Sequence, residues 1–311
     1  AAEHEIARKV LEYRQLTKLK GTYIDALPAL IDPFTHRLHT TFNQAGAATG
    51  RLSSSNPNLQ NIPIRTELGR EIRAAFVPRE GWRLVVADYS QIELRLLAHM
   101  SHDPVLVDAF RKGEDIHTRT AAEVFRVPPL MVTPDMRRNA KAVNFGIVYG
   151  QTPFGLAANL GIDRKEAEEY IRTYFELHAG VKKFIQETIA EVRQTGVALT
   201  LAGRRRPIPD MNSRNPNARS FAERTAVNTP LQGTAADLIK LAMIRIDEIL
   251  REEKLETKML LQVHDELLFE SPPNEAERVS EMVKREMENV EKLEVPLIVD
   301  VGIGDNWRDA K

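Results

Sequence analysis

The chain contains no cysteine. That excludes a disulfide framework and a thiolate zinc site, and it permits a cytoplasmic life. Net charge is also nearly absent, because 43 Lys and Arg stand against 44 Asp and Glu. No global basic field therefore advertises a polyanionic partner, and any nucleic-acid contact must be local. Local basic groups do exist at Arg204-Arg205-Arg206, Arg137-Arg138 and Lys182-Lys183, although such groups are more often ordinary solvated surface than phosphate contacts. No apolar run is long enough for a transmembrane helix or a signal peptide, and no tandem repeat or low-complexity tract occurs. What remains is 311 residues, 42% hydrophobic and 28% charged, enough for a substantial core in one large or two smaller units.

Two acidic motifs far apart in the chain stand out. Val85-Val86-Ala87-Asp88-Tyr89 reads as a buried strand that delivers Asp88 at its end, and Leu260 to Phe269 reads as a hairpin with His264-Asp265 at its turn. Hard divalent ions take carboxylate oxygens, and a pair of such ions can clamp the attacking and leaving oxygens of a phosphoryl transfer. The two motifs thus look like halves of one metal site. Taken alone, an Asp after a strand is far more often a turn residue or a helix N-cap than a metal ligand.

A third motif runs from Thr133 to Gly150. Thr133 reads as an N-cap, Pro134 as the first helical residue, Asp135 as a first-turn acid and Gly150 as a C-terminal stop. Arg137, Lys141, Phe145 and Tyr149 recur every four residues and share one broad face, cationic at one end and aromatic at the other. Such a face suits a nucleotide, with cations on phosphates and rings on sugar and base. An amphipathic helix with solvated cations and core aromatics gives the same pattern.

Together, Asp88-Tyr89-Ser90-Gln91-Ile92-Glu93-Leu94-Arg95, Arg137 with the run from Lys141 to Gly150, and Gln262-Val263-His264-Asp265-Glu266 resemble motifs A, B and C of the family A DNA polymerases, in order. Thr49-Gly50-Arg51-Leu52-Ser53-Ser54, Pro57 to Pro63 and Pro230 to Asp237 match as well, so the resemblance spans essentially the whole chain and is nearest the bacterial enzymes. It implies a template-directed DNA polymerase that uses two Mg²⁺ ions, with Mn²⁺ able to substitute, and takes primer-template DNA and dNTPs as partners. A monomer in the bacterial cytoplasm, associated with the nucleoid and active in replication and repair, is the corresponding expectation. So is a chain of palm and fingers without the thumb and exonuclease-like regions of relatives.

The resemblance assigns roles residue by residue. Asp88 and Asp265 would bridge the metals with the Tyr89 backbone carbonyl, and Glu266 would support. Gln91, Glu93, His117, Arg137, Lys141, Phe145 and Tyr149 would hold the nucleotide, with Lys141 as general acid and Glu93 crowding the ribose 2′ position. Arg51, Gln60, Arg224, Asn228, Gln232 and His264 would face the duplex minor groove, where correct pairs present similar acceptors.

Periodicity and caps predict helices over 2–19, 91–100, 103–112, 117–125, 163–175, 180–195, 218–228, 234–253 and 275–289, besides the third motif. Strands are expected at 38–43, 50–53, 82–88 and 297–301, with a hairpin at 197–206 turning at Gly203. The fold class is α+β: an antiparallel palm sheet backed by helices, with a helical fingers insertion. The expected division places a thumb remnant and the first part of the palm in 1–103, fingers in 104–196 and the rest of the palm in 197–311.

Three other readings compete. A single-subunit RNA polymerase is opposed by Glu93 and the run from Lys141 to Tyr149. A histidine-aspartate phosphohydrolase would put its His-Asp pair on a helix with further histidines, not between strand-like arms. A non-catalytic nucleic-acid-binding module of the same fold would be expected to have lost Asp88, Asp265 or Lys141, and all three are present.

Overall fold

The apolar run ending at Asp88 forms strand β3 (Arg83–Tyr89). In the computed structural model, which describes residues 4–64 and 66–311, this strand lies inside a four-stranded sheet. The order is β6 (Lys258–Val263), β7 (Glu266–Ser271), β3, β8 (Val299–Gly304), and every pairing is antiparallel. Successive strand side chains point to opposite faces, so the sheet separates two cores. Val85, Ala87 and Tyr89 join Leu267 and Phe269 in the larger one, while Leu84 and Val86 join Val263, Leu268, Trp307 and Ala310 in the smaller. Asp88 continues the second set.

Helix α12 (Pro273–Glu288) covers β3 and β8 on the larger-core side, and α11 (Pro216–Glu252) packs on α12 and on α4 (Ile92–Ser101). Between α4 and the short hairpin β4 (Val197–Leu199) and β5 (Arg205–Pro207) the chain is helical. This stretch holds α5 (Pro104–Arg111), α6 (Ile116–Phe125), α7 (Pro134–Val148), α8 (Pro153–Leu160), α9 (Arg164–Leu177) and α10 (Ala179–Thr195), the last returning against α4 and α11. Ahead of β3 lie α1 (Glu5–Leu19), a π-type turn, α2 (Ala26–Ala29), the two-stranded β1 (Thr41–Asn43) and β2 (Ser53–Ser55), and α3 (Glu67–Ala74). The expected α+β class is the observed one.

Local chemistry accounts for most boundaries. The Thr133 hydroxyl accepts from Met136 N at 3.2 Å and Pro134 opens α7; Asp163 accepts from Glu166 N at 2.9 Å to start α9. Gly196, at φ 70°, supplies the left-handed residue that ends α10.

Several expectations need correction. The helices placed on either side of Pro230 are one helix, α11, 37 residues long. A mid-helix proline costs about 3 kcal/mol; burial of Ala226, Val227, Leu231, Leu238 and Ile239 along the same helix outweighs it. Helices α3 and α8 were not anticipated, being short and set among turn-forming residues. The strand expected at 297–301 runs instead from Val299 to Gly304, that at 38–43 shrinks to Thr41–Asn43, and that at 50–53 moves to Ser53–Ser55, sharing only Ser53 with the expectation. The helix expected from Ala2 begins at Glu5, Ala2 itself lying outside the described residues.

Where α5, α6 and the α9–α10 junction meet, His178 is fully buried. Its Nδ1 lies 3.2 Å from Asp103 Oδ1 and its Nε2 3.5 Å from Glu123 Oε2. Burial favours the neutral ring, but the two carboxylates outweigh it and raise the His178 pKa. A raised histidine contributes stability that is complete below the ordinary value near 6.5 and fades as pH rises through the shifted one. His178→Gln should therefore cost about 3 kcal/mol at pH 6 and progressively less above it. Chemical denaturation of both proteins across that range checks this, and a gap constant with pH contradicts it.

Candidate active site

Three segments converge at the end of the sheet. Asp88, the penultimate residue of β3, pairs in register with Glu266 on β7 and Asp300 on β8. Asp265 sits in the two-residue turn joining β6 to β7, and its carbonyl accepts from Tyr89 N at 3.1 Å. The two expected metal-binding carboxylates, 177 residues apart in sequence, thus meet through one antiparallel register. His264, at φ 58°, makes the left-handed turn that holds Asp265 there.

Burial, and then the negative charge of Asp88, push the Asp265 carboxyl up to about 6, while Lys311 opposes the shift. Tyr89 is buried, and its hydroxyl donates to Met287 O at 2.8 Å, leaving only its backbone toward the site. Glu266 is buried on the Asp88 side of the sheet, where Trp307 Nε1 donates to it at 2.7 Å, Lys311 Nζ pairs with it and Arg73 Nη1 lies at 3.7 Å. Asp265 is a turn residue while Glu266 opens β7, so strand alternation does not separate the two. What separates them is that Glu266 already accepts from Trp307 and pairs with Lys311 and Arg73.

A second constellation forms beside the carboxylates. Gln91, at φ 57°, turns the chain from β3 into α4 and so brings Glu93 back beside the sheet end. Glu93 is 7% exposed and doubly held: Arg51 Nη2 donates to Oε1 and the Tyr149 hydroxyl to Oε2, both at 2.7 Å. Burial and then the Glu93 charge raise the Tyr149 pKa, so the phenol keeps its proton and the bond persists at any physiological pH. Phe145 stacks on Tyr149, with centroids 6.3 Å apart and planes at 15°, and packs on His117 on its other side.

Along the same helix face the cations differ. Lys141 is exposed and has no ion-pair partner among the described residues, whereas Arg137 pairs with Asp115 at 2.7 Å. Burial, with smaller effects from Lys141 and Arg137, brings His117 down to about 4 despite Asp115, so the ring is neutral. Thr120 Oγ1 donates to Asn144 Oδ1 at 3.1 Å, which turns the Asn144 amide nitrogen toward His117 Nδ1 at 3.0 Å. Nδ1 must accept, and the ring proton resides on Nε2.

The residues expected at the duplex are spread around this centre. Gln60 Nε2 donates to Gln262 O at 3.0 Å, beside the His264 turn. Arg224 packs against Gly150, where φ is 62° and a Cβ would come within 2.7 Å of its Cγ. Asn228 carries a buried Oδ1 with no hydrogen-bond partner, and Gln232 follows one turn later on α11.

Several supporting residues had no role assigned from the sequence. Asp237 accepts from Arg204 at 2.6 and 2.9 Å and from Thr200 at 2.8 Å, while Lys240 donates to Gly50 O at 2.5 Å. This network fixes the turn that presents Arg51 to Glu93. Arg73, Trp307 and Lys311 were missed too, because nothing in their spacing links residues 73 and 307–311 to Asp88.

The donor set fits a hard divalent cation. Among the described residues no group of three or more His, Cys, Asp or Glu surrounds a cation position. Mg²⁺, however, is commonly held by one or two carboxylates, with water and substrate phosphates completing the shell. Asp88 already carries a stand-in, the Lys311 ammonium at 2.7 Å.

The family model described as DNA polymerase family A matches residues 1–309. The chain is 56% identical over 312 residues to DNA polymerase I of Geobacillus stearothermophilus, covering 100% of this chain and 36% of that protein. It is 55% identical over 308 residues to the thermostable DNA polymerase I of Thermus thermophilus, covering 99% and 37%. The chain therefore spans little more than a third of the length of these relatives. A solved structure, the POL domain of Pol1 from M. smegmatis in complex with DNA primer-template and dNTP, superposes with a TM-score of 0.94 at 47% identity, covering 97% of this chain and 53% of that one. With the match running through both carboxylate motifs and the helix between them, the chain belongs to DNA polymerase family A.

Proposed function

We propose that the protein is a template-directed DNA polymerase, adding deoxynucleotides to a primer 3′-hydroxyl and releasing pyrophosphate. The observation that carries this reading is the meeting of Asp88 and Asp265 beside a wall built from Arg51, Glu93 and Tyr149. The M. smegmatis structure, a complex with DNA primer-template and dNTP, supports it. In the same reading residues 104–196 are fingers, 197–311 complete the palm, and 1–103 hold its first part behind a thumb remnant.

Divalent cations at Asp88 and Asp265, two Mg²⁺ in this proposal, would lower the pKa of the attacking hydroxyl and neutralise charge on the departing pyrophosphate. The Tyr89 carbonyl is the third protein ligand proposed. Lys141 faces solvent, able to meet the triphosphate and deliver a proton to the leaving group. Arg137 would exchange Asp115 for phosphate, and neutral His117 would donate from Nε2. Phe145 and Tyr149 offer the incoming sugar and base a stacked pair of rings, while Gln91 sets the turn that presents Glu93. Arg51, Gln60, Arg224, Asn228, Gln232 and His264 would test pair geometry in the minor groove, the orphan Asn228 Oδ1 marking an acceptor that lacks its donor.

Primer extension with deoxy- and ribonucleotides tests the proposal. Extension by the matched deoxynucleotide alone is expected; equal use of ribonucleotides would point to an RNA polymerase, and no extension to a binding module. Glu93→Ala should lower the deoxy-to-ribo incorporation ratio by roughly ten- to a hundredfold, since it empties the space held by two 2.7 Å bonds. Overall incorporation should fall as Arg51 and Tyr149 lose their shared anchor. An unchanged ratio removes the steric role.

A further inference from the structure

Asp88 and Glu266 face each other directly across β3 and β7. Like charges so placed repel, and the molecule answers with a cation from elsewhere in the chain. After β8 the backbone doubles back over the smaller-core face of the sheet, toward Asp88. Gly302 and Gly304 permit the crossing: a Cβ on Gly302 would lie 2.3 Å from Ala310 O, and one on Gly304 2.5 Å from Ala310 N. The crossing is then pinned. Trp307 is fully buried, its N donates to Phe76 O at 2.9 Å, its indole donates to Glu266, and the Arg73 guanidinium lies 4.3 Å over its ring. Lys311 thereby arrives with its Nζ 2.7 Å from Asp88 Oδ2 and paired with Glu266 as well.

The two anchors are unequal. Glu266 is 2% exposed and held by Trp307 and Arg73 besides Lys311, so its position does not depend on the lysine alone. Among the described residues Lys311 is the one ion-pair partner of the Asp88 carboxylate, on the side chain proposed to receive a divalent ion. Two cations cannot share those oxygens without repulsion, which at about 4 Å and an effective dielectric near 20 is large on the scale of binding.

We propose that Lys311 is the resident counter-cation of the carboxylate site: anchored on Glu266, its ammonium holds Asp88 until a divalent cation displaces it, and so sets how weakly the protein binds that cation before nucleotide arrives. The lysine acts as a positioning residue. It keeps the two facing carboxylates together without metal and makes occupancy depend on the added negative charge of an incoming triphosphate. The inference rests on reading Asp88 and Asp265 as cation-binding groups.

The test is direct Mn²⁺ binding to the protein, without DNA or nucleotide, followed by electron paramagnetic resonance of the free ion. Lys311→Met should bind Mn²⁺ about tenfold more tightly than the unmodified protein, and Lys311→Arg, which keeps the charge, within about twofold of it. Lys311→Gln is a second neutral variant that still offers Glu266 a hydrogen bond, and it should also bind several-fold more tightly if Lys311→Met does not fold. Unchanged or weaker binding by the folded neutral variants overturns the proposal, as does tightening by Lys311→Arg, which would trace the effect to packing. Mn²⁺ binding that Asp88→Asn leaves intact in the unmodified background would instead remove the underlying assignment of Asp88.

Discussion

Asp88→Asn and Asp265→Asn are each expected to reduce single-turnover nucleotide addition by roughly 10³-fold or more, while duplex binding changes little. Each replacement keeps the shape of the side chain and removes the anionic oxygen proposed to hold a divalent cation, whose stabilisation of developing charge is worth several kcal/mol; at 1.36 kcal/mol per decade that is three orders of magnitude. Fold stability should hold as well. Asp265 is a desolvated carboxylate beside a like charge, so a neutral amide removes a burden from the native state. Asp88→Asn leaves Lys311 its pairing with Glu266. Duplex affinity comes mainly from phosphate contacts spread over a surface. Rapid-quench incorporation and a binding titration on the same preparations separate the two quantities. Near-normal addition by either variant contradicts the assignment.

Lys141→Ala carries the second large effect. Its ammonium is exposed on the face of α7 that also bears Phe145 and Tyr149, without an ion-pair partner among the described residues, so it is free to meet charge that develops on the triphosphate. Loss of one preorganised donor to such charge costs about 10²–10³ in rate. The single-turnover rate at saturating nucleotide should fall by that factor, while the primer-template dissociation constant stays within about twofold. Arg137→Ala offers a contrast. Its guanidinium is already neutralised by Asp115, so its loss should raise the nucleotide concentration needed for half-maximal rate more than it lowers that rate. A Lys141→Ala protein with an unaltered rate would remove the catalytic role.

The carboxylates were legible in the sequence because strand alternation and a hairpin turn carry their own signals: an apolar run names β3, and two apolar arms around His264-Asp265 name the β6–β7 turn. That Asp88 and Asp265 meet is a matter of register between strands 177 residues apart, which resemblance supplied and local pattern could not. The Glu93 wall was half visible. Helical spacing put Phe145 and Tyr149 on one face, but the bond from Tyr149 to Glu93 and the salt bridge from Arg51 depend on how α7 and the Gly50 turn approach α4. Pro230 misled for a physical reason, since local propensity marks a break where tertiary burial keeps α11 continuous. Lys311 was invisible because its position follows from two glycines that let the chain cross β8, a close approach with no spacing of its own.

Rapid-quench addition of a single deoxynucleotide to a primer-template at increasing Mg²⁺, with unmodified protein and Asp265→Asn side by side, decides whether Asp88 and Asp265 form one cation-dependent site for template-directed nucleotide addition. The rate of the unmodified protein should saturate with Mg²⁺ and appear only with the nucleotide matched to the template, and that of Asp265→Asn should be lower by roughly 10³-fold across the titration. Addition that is indifferent to Mg²⁺ or to the template base, or an Asp265→Asn protein that keeps pace, would contradict such a site.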